Sequence, residues 1–189
     1  MKNLAVYCGS SMGADPAFAD TARVLGEEMA RRGIALVYGG GHRGLMGVVA
    51  DAVLGAGGRA YGVIPQALVD LEVAHTGLTE LHTVSNMHER KAKMTELCDA
   101  FVALPGGIGT FDELFEAWTW NALGYHAKPF ALLNVSGFWD GLVDFLDHTT
   151  RSGFMSQARR DQLIVAEGIG DALDRLAEAT GTRQRGMVW

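Results

Sequence analysis

The sequence predicts an α/β protein of Rossmann-like type, in which helices cover both faces of a doubly wound parallel sheet. Short, almost continuously apolar runs alternate with longer amphipathic runs along the chain, as expected for strands that are buried on both faces. Glycine clusters follow several of these runs, which suits tight turns from strand to helix. The length of 189 residues fits one domain, which we assign to residues 1–180, followed by a frayed tail at 181–189.

The first strand and helix carry clear local signals. The run NLAVYC at 3–8 predicts a buried strand, and residues 15–33 predict a helix. Asp15 is a suitable N-cap, Pro16 suits the first helical position, and Gly33 suits the C-terminal cap.

The later elements repeat this alternation, and we expect residues 66–78 between them to be irregular. Further strands are predicted at 34–39, 59–65, 79–84, 100–104, 128–135 and 161–167. Further helices are predicted at 45–57, 86–99, 110–123, 138–151 and 169–179.

Composition and charge narrow the possible functions. The net charge of −6 argues against nucleic acid as a partner, because such proteins usually carry a basic stripe. Cys8 and Cys98 lack metal-type spacing and are expected to be reduced thiols. No apolar run reaches the ~20 residues of a membrane helix, and the run near the N-terminus breaks too early for a signal peptide. We therefore expect a cytoplasmic protein with no membrane partner.

Four polar or glycine-rich motifs follow predicted strands. They are CGSS (8–11), YGGGHRGLMG (38–47), NMHERK (86–91) and PGGIGT (105–110). Ligands of open parallel α/β sheets bind outside the carboxyl ends of the strands. We therefore expect these motifs to gather at one edge of the sheet and to form the site.

The glycine clusters leave several interpretations open. Residues 39–44 match G-x-G-x-x-G, but the third strand ends in AYGVIPQ without the acidic residue of a dinucleotide site. Neither cluster carries the lysine of a P-loop. The glycines could serve only tight turns and close packing. Three such turns at one sheet edge nevertheless favour a nucleotide monophosphate, whose phosphate binds backbone N–H groups.

Glu113 also has two interpretations. Thr110 and Glu113 form the S/T-x-x-E pattern of a capping box, in which the carboxylate serves only the start of the helix. The alternative is a catalytic carboxylate beside the glycine turn. Asp112 and Glu116 suit the same helix start.

Arg90 and Lys91 lie in the first turn of a predicted helix, where cations gain nothing from the helix dipole. Asn86 and Glu89 form a second possible cap pair there. The two cations either bind an anion, for which arginine has a planar fork, or form surface ion pairs with Glu89 or Glu113, which contribute little.

Other chemistries are poorly supported. The six histidines show no metal-type spacing, and no serine lies in a G-x-S-x-G context. No lysine has the desolvated surroundings that a Schiff base requires. A pyridoxal-dependent decarboxylase is therefore disfavoured, and we expect neither a metal nor a cofactor.

Two motifs together carry a resemblance to a known family. PGGIGTFDE (105–113) and MHERK (87–91) resemble the paired signatures of the Lonely Guy (LOG) family of cytokinin riboside 5′-monophosphate phosphoribohydrolases. The similarity extends to VYCGSS, VYGGGHRGLMG, EVAH and KPFALLNVSGFWD. The resemblance implies a homodimeric enzyme that cleaves a nucleoside 5′-monophosphate, AMP or N6-prenylated AMP, to free base and ribose 5-phosphate.

The resemblance also implies the site residues. The catalytic pair falls on Arg90 and Glu113. The positions expected to bind substrate are Gly9, Ser10, Gly40, Gly41, Gly44, Met46, Glu72, Met87, Lys91, Pro105, Gly106, Gly107, Gly109 and Thr110.

These assignments suggest that different residues bind the phosphate, the ribose and the base of one nucleotide. The glycine turn would hold the 5′-phosphate, Glu113 would face the ribose, and Arg90 would position the nucleotide and help the departing base. The competing classes are a non-catalytic nucleotide or molybdenum-cofactor carrier-like protein and, less favoured, an NAD-linked oxidoreductase.

Overall fold

The structure is a computed structural model that describes residues 1–70 and 74–185. Within these residues, parallel strands form one seven-stranded sheet. The strands are β1 (Asn3–Tyr7), β2 (Ala35–Tyr38), β3 (Ala60–Pro65), β4 (Glu80–Val84), β5 (Ala100–Ala103), β6 (Phe130–Leu133) and β7 (Leu163–Ala166). Their order across the sheet is β4-β3-β2-β1-β5-β6-β7, and every pairing is parallel.

Helices cover both faces of the sheet, which confirms the doubly wound α/β fold. The helices are α1 (Pro16–Arg31), α2 (Gly44–Gly55), α3 (Gln66–Val69), α4 (Met87–Leu97), α5 (Ile108–Ala122), α6 (Asp140–Arg151), α7 (Gln157–Arg160) and α8 (Ile169–Arg185). Apolar residues of α1, α2 and α8 belong to one core cluster. Those of α4, α5 and α6 belong to the other.

The central strands contribute to both clusters because successive side chains of a strand point to opposite faces. In β1, Leu4 and Val6 belong to the first cluster, whereas Ala5 and Tyr7 belong to the second. Phe101 of β5 is fully buried and stacks on Phe130 of β6 at a ring-centroid distance of 4.8 Å. This two-sided burial explains why the strands are almost continuously apolar in sequence.

The predicted ends of α1 are confirmed. The Asp15 carboxylate accepts a hydrogen bond of 2.9 Å from the backbone N–H of Ala17, and Pro16 occupies the first helical position. After the helix, Gly33 adopts φ +70°, a left-handed conformation that glycine reaches without a steric penalty.

Several predicted boundaries are wrong. Helix α5 begins at Ile108 rather than at 110, and a 3-10 turn, Val135–Gly137, precedes α6, which begins at Asp140. The segment predicted to be irregular contains the short helix α3.

The C-terminal helix is longer than predicted. We expected it to end at 179, but α8 continues to Arg185, so helix replaces the expected irregular chain over 181–185. The rest of the predicted tail, 186–189, lies outside the described residues. None of the helices in the described ranges combines the length and apolar character that a membrane crossing requires.

The sheet order creates a switch point between β1 and β5. From β1 the chain builds the sheet outward through β2, β3 and β4, and from β5 it builds the opposite half. At the carboxyl ends of the two strands, the Gly9 N–H donates a 3.0 Å hydrogen bond to the Pro105 carbonyl. A crevice at this position is the usual ligand site of such a sheet.

Candidate active site

A cavity of about 340 Å³ lies at the switch point. It collects residues from all four motifs that the sequence analysis placed at this edge, as predicted. The lining residues are Cys8, Gly9, Ser10, Ser11, Met46, Arg90, Gly107, Ile108, Gly109, Thr110 and Glu113.

The centre of the cavity is a buried ion pair between α4 and α5. Nη1 of Arg90 lies 2.7 Å from Oε1 of Glu113, and the two side chains are 9% and 10% exposed. Arg90 Nε also donates a 3.1 Å hydrogen bond to the carbonyl of Val63 in β3. The interpretation of Arg90 as part of a surface ion pair is therefore wrong, because its partner Glu113 is buried with it.

The capping-box interpretation of Glu113 is also wrong. The N-cap position of α5 is Gly107, whose backbone is extended at φ −101° and ψ −154°. Thr110 is therefore inside the helix, where it cannot act as its cap. The Glu113 carboxylate contacts Arg90 instead. The cap pair predicted for α4 is present: the Asn86 side chain accepts a 2.9 Å hydrogen bond from the Glu89 backbone N–H.

The glycines of the 105–110 turn have different roles. A Cβ atom on Gly106 would lie 2.0 Å from Thr110 Oγ1, so this glycine is needed for close packing. Gly107 and Gly109 have no atom within 4 Å of an added Cβ and line the cavity. The first N–H groups of a helix lack intrahelical partners. The start of α5 therefore offers an anion site at the wall of the cavity.

The glycines after β2 bring the first two turns together. Gly44 adopts φ +59°, and a Cβ there would lie 2.3 Å from the Ser10 carbonyl carbon. Gly40 adopts φ +74°, and its carbonyl accepts a 2.8 Å hydrogen bond from the His75 N–H. Gly41 forms an isolated bridge with Ala74. These glycines shape the edge of the site, whereas Met46 is the residue of this motif that lines the cavity.

Some predicted site residues lie elsewhere. Lys91 is buried outside the cavity, where its Nζ contacts Glu116 and lies 3.1 Å from Asp112. Met87 is 42% exposed at the start of α4. Glu72 lies outside the described residues.

Pro105 and Gly106 line a neighbouring cavity of about 210 Å³. Gly9 and Gly107 border both spaces. The turn that would hold a phosphate thus borders two cavities.

Burial controls the charge state of the site. It raises the pKa of the Glu113 carboxyl, while the Arg90 guanidinium acts in the opposite direction. Burial also raises the pKa of the Cys8 thiol, and the nearby Glu113 adds to this effect. A carboxyl with a raised pKa beside a fixed cation is typical of a catalytic site, whereas the thiol is held in its unreactive protonated form.

Three lining residues were missed by the sequence analysis. Cys8 and Ser11 belong to the CGSS motif, whose neighbours Gly9 and Ser10 were chosen, and Ile108 lies inside the glycine turn. They could have been predicted from the sequence, because each adjoins predicted site residues in a motif that follows a strand.

Comparisons with known proteins place the chain in a family. A family model described as "Possible lysine decarboxylase" matches residues 46–176. The rice "Cytokinin riboside 5′-monophosphate phosphoribohydrolase LOG" is 45% identical over 188 residues, which cover 100% of this chain and 78% of the relative. The Rhodococcoides fascians "Cytokinin riboside 5′-monophosphate phosphoribohydrolase" is 45% identical over 173 residues, covering 91% and 87%. The chain belongs to the LOG family.

This LOG family chain also resembles solved structures of lower identity. A molybdenum cofactor binding protein from Rippkaea orientalis matches with a TM-score of 0.70 at 20% identity, over 94% of this chain and 96% of the other. The Moco carrier protein from Chlamydomonas reinhardtii matches with a TM-score of 0.71 at 19% identity, over 96% and 98%. Likeness at these identities concerns the fold alone.

Proposed function

We propose that this LOG family chain hydrolyses the N-glycosidic bond of a nucleoside 5′-monophosphate, giving a free base and ribose 5-phosphate. AMP and N6-prenylated AMP are the proposed substrates. The observation that carries the proposal is the buried Arg90–Glu113 pair, which shares one cavity with the glycine-rich start of α5. The names of the relatives from rice and Rhodococcoides fascians support it.

In the proposed mechanism, the glycine-rich start of α5 and the Arg90–Glu113 pair contact different parts of one nucleotide. The 5′-phosphate binds the N–H groups at Gly107, Gly109 and Thr110, which a helix N-terminus leaves free for an anion. Glu113, one helical turn further along, faces the ribose. A phosphate and a carboxylate would repel each other at one position. Here the phosphate lies at the glycine turn, and the Glu113 carboxylate lies at the other end of the ribose 5-phosphate unit.

Glu113 then acts on the charge that develops during cleavage. Breaking an N-riboside gives a ribose with oxocarbenium character, and a carboxylate stabilises this cation more than the neutral ground state. Arg90 holds the nucleotide in place and assists the departing base through its guanidinium N–H groups. Glu113 accepts a proton from a water molecule whose oxygen bonds to the ribose C1′ as the C1′–N bond breaks. The same proton then passes to the departing base, so that a neutral base and ribose 5-phosphate are formed.

The decarboxylase description of the family model does not match the chemistry of the cavity. Among the described residues that line it there is no lysine. Lys91, whose sequence position is nearest to the site, is bound to Asp112 and Glu116.

We further propose that the chain forms a homodimer and works in the cytoplasm. Large apolar side chains are exposed around α5, including Ile108 at 84%, Leu123 at 66% and Tyr125 at 76%. An open groove of about 1050 Å³ between α4 and α5 shares Ile108 with the catalytic cavity, so a partner there would border the site. The two cysteines are free and buried, in keeping with a reducing compartment.

The direct test incubates the purified chain with a panel of nucleoside 5′-monophosphates and follows base release by chromatography. We expect adenine or its N6-prenylated form to appear together with an equal amount of ribose 5-phosphate. Return of every monophosphate intact, with binding detected by calorimetry, would instead support the non-catalytic carrier.

A further inference from the structure

Among the described residues, the Arg90 guanidinium lies against three groups in the site. Nε donates to the Val63 carbonyl at 3.1 Å, and Nη1 lies 2.7 Å from Glu113. The third group is the bare backbone of Gly39, directly after β2. A Cβ atom at Gly39 would lie 1.9 Å from Arg90 Nη2 and 3.1 Å from its Cζ. The guanidinium therefore occupies the volume that any other residue at position 39 would fill.

The conflict at Gly39 differs from those at the other crowded glycines of the same motif. At Gly44 and Gly47 an added Cβ would collide with backbone atoms of Ser10 and His42, at 2.3 Å and 2.0 Å. At Gly39 the colliding atoms belong to the end of a flexible side chain, and Met46 Sδ is the next neighbour at 3.3 Å. An alanine at 39 can thus be accommodated by moving Arg90, without moving the chain.

Within the described residues, Nη2 is the guanidinium nitrogen that lies against the Gly39 backbone, and no hydrogen bond or ion pair from it is found there. Arginine carries five N–H donors, and the contacts of its guanidinium within the described residues go from Nε and Nη1. Arg90 also lines the cavity. Because the guanidinium is rigid and planar, a group that determines the position of Nη2 also determines where the other N–H donors meet a bound nucleotide.

We propose that Gly39 is a positioning residue for the reaction: by leaving room for Nη2, it lets the Arg90 guanidinium lie between the end of β2 and Val63 of β3, where it meets the substrate. The proposal rests on the hydrolase function proposed above. It assigns to the first glycine of the 39–44 motif a role separate from phosphate binding and from turn formation. Gly39 affects the reaction only through the position that it allows Arg90 to take.

The first experiment compares Gly39→Ala with Gly55→Ala. Gly55 lies at the end of α2, where an added Cβ meets nothing within 4 Å, so it controls for the chemistry of the substitution. We expect Gly39→Ala to fold with a lower Tm than the wild type, because Arg90 moves away from its buried partners, and to lose about 100-fold in kcat for AMP, the scale of one misplaced electrostatic group. Wild-type kcat in Gly39→Ala would overturn the proposal.

A double-mutant cycle separates positioning of Arg90 from general damage. Arg90→Lys lacks Nη2, so adding Gly39→Ala to it should cost little further kcat. Coupled sites depart from additivity in this way, whereas independent ones add. If Gly39→Ala lowers kcat by the same factor in the Arg90→Lys background, it acts by another route and the proposal fails.

A spectroscopic measurement tests the same point without activity. The Arg90 Nε–H, buried against the Val63 carbonyl, should give a protected resonance in a ¹⁵N correlation spectrum, identified by its loss in Arg90→Lys. Gly39→Ala should shift or remove this resonance, and Gly55→Ala should leave it in place. An unchanged resonance in Gly39→Ala contradicts the proposal even if the wild type releases no base. Failure of the hydrolase assay alone contradicts only the proposed function.

Discussion

At the scale of single residues, the site depends on two charges that burial makes costly to separate. Arg90 and Glu113 are both nearly inaccessible to water and contact each other at 2.7 Å. Truncating one member of such a pair removes its charge together with its contacts and leaves the other buried without a partner, at a cost of about 3–5 kcal/mol. Variants that keep the shape of the side chain are therefore the informative ones.

Glu113→Gln is expected to keep the fold and the binding of AMP while losing most turnover. The amide keeps the size of the side chain and can still contact Arg90, but it cannot stabilise a developing cation. Loss of one positioned electrostatic group costs about 10²–10³ in rate. The measurement is adenine release at saturating AMP, with circular dichroism as the control for folding. Near wild-type turnover would remove Glu113 from the chemistry.

Comparing the wild type with Glu113→Gln also shows how the carboxyl of Glu113 makes the free energy of unfolding depend on pH. Burial raises the pKa of Glu113 above its ordinary value of 4.5, so the folded state binds this proton more tightly than the unfolded state does. The contribution of Glu113 to the free energy of unfolding is therefore greatest below pH 4.5 and is lost as the pH rises through the folded-state pKa.

Urea unfolding at a series of pH values measures this effect. The free energy of unfolding of the wild type minus that of Glu113→Gln should decrease as the pH rises from the ordinary glutamate range. A difference that grows with pH would mean that Arg90 outweighs burial and lowers the pKa of Glu113.

At the scale of elements, the turn between β5 and α5 determines where the helix begins. Gly107 starts the helix earlier than the capping-box pattern predicts. Gly106 has the side chain of Thr110 directly above its Cα. The buried Thr110 thus packs on the glycine turn.

Gly106→Ala is expected to lower the free energy of unfolding by about 1–3 kcal/mol, the usual cost of overpacking. Its Cβ would lie 2.0 Å from Thr110 Oγ1 and 2.9 Å from the Gly9 nitrogen. Gly109→Ala is the matched control for stability, because it lies in the same helix start with open space around the added Cβ. Chemical denaturation of both variants measures the effect, and equal stabilities would contradict it.

At the scale of the whole molecule, the strand order brings distant segments to one edge. Because β1 and β5 are neighbours at the switch point, the turns that follow them meet. The first turns of α4 and α5 lie on the same side of the sheet, so that side chains far apart in sequence form the Arg90–Glu113 pair. This topology also leaves an apolar face of α5 exposed next to the site.

Leu123→Arg is expected to convert the proposed dimer into a monomer, because it places a charge beside the large apolar side chains that are exposed at the C-terminal end of α5. Val24→Arg is the matched control: Val24 is 40% exposed on α1, which covers the other face of the sheet. Sedimentation velocity at several protein concentrations measures both. A wild type that stays monomeric, or a Leu123→Arg variant that stays dimeric, would contradict the proposed interface.

The local parts of the fold were predictable because they depend on neighbouring residues. The cap at Asp15, the left-handed Gly33 and the Asn86 cap were each predicted from a few positions and are present. The start of α5 was predicted wrongly for an instructive reason. Thr110 and Glu113 satisfy a local capping pattern, but a buried cation from another helix attracts the carboxylate more strongly.

By itself, the sequence determined the parallel α/β architecture, the edge at which the motifs gather and the family to which the chain belongs. These follow from apolar periodicity, glycine turns and two signatures, all of which are local. Only the tertiary structure decided that Glu113 contacts Arg90 rather than the helix start, and that Lys91 is bound outside the cavity. It also decided that Gly39 makes room for the guanidinium. Such contacts join separate elements, and their partners are selected by strand order and burial, which no single stretch of sequence encodes.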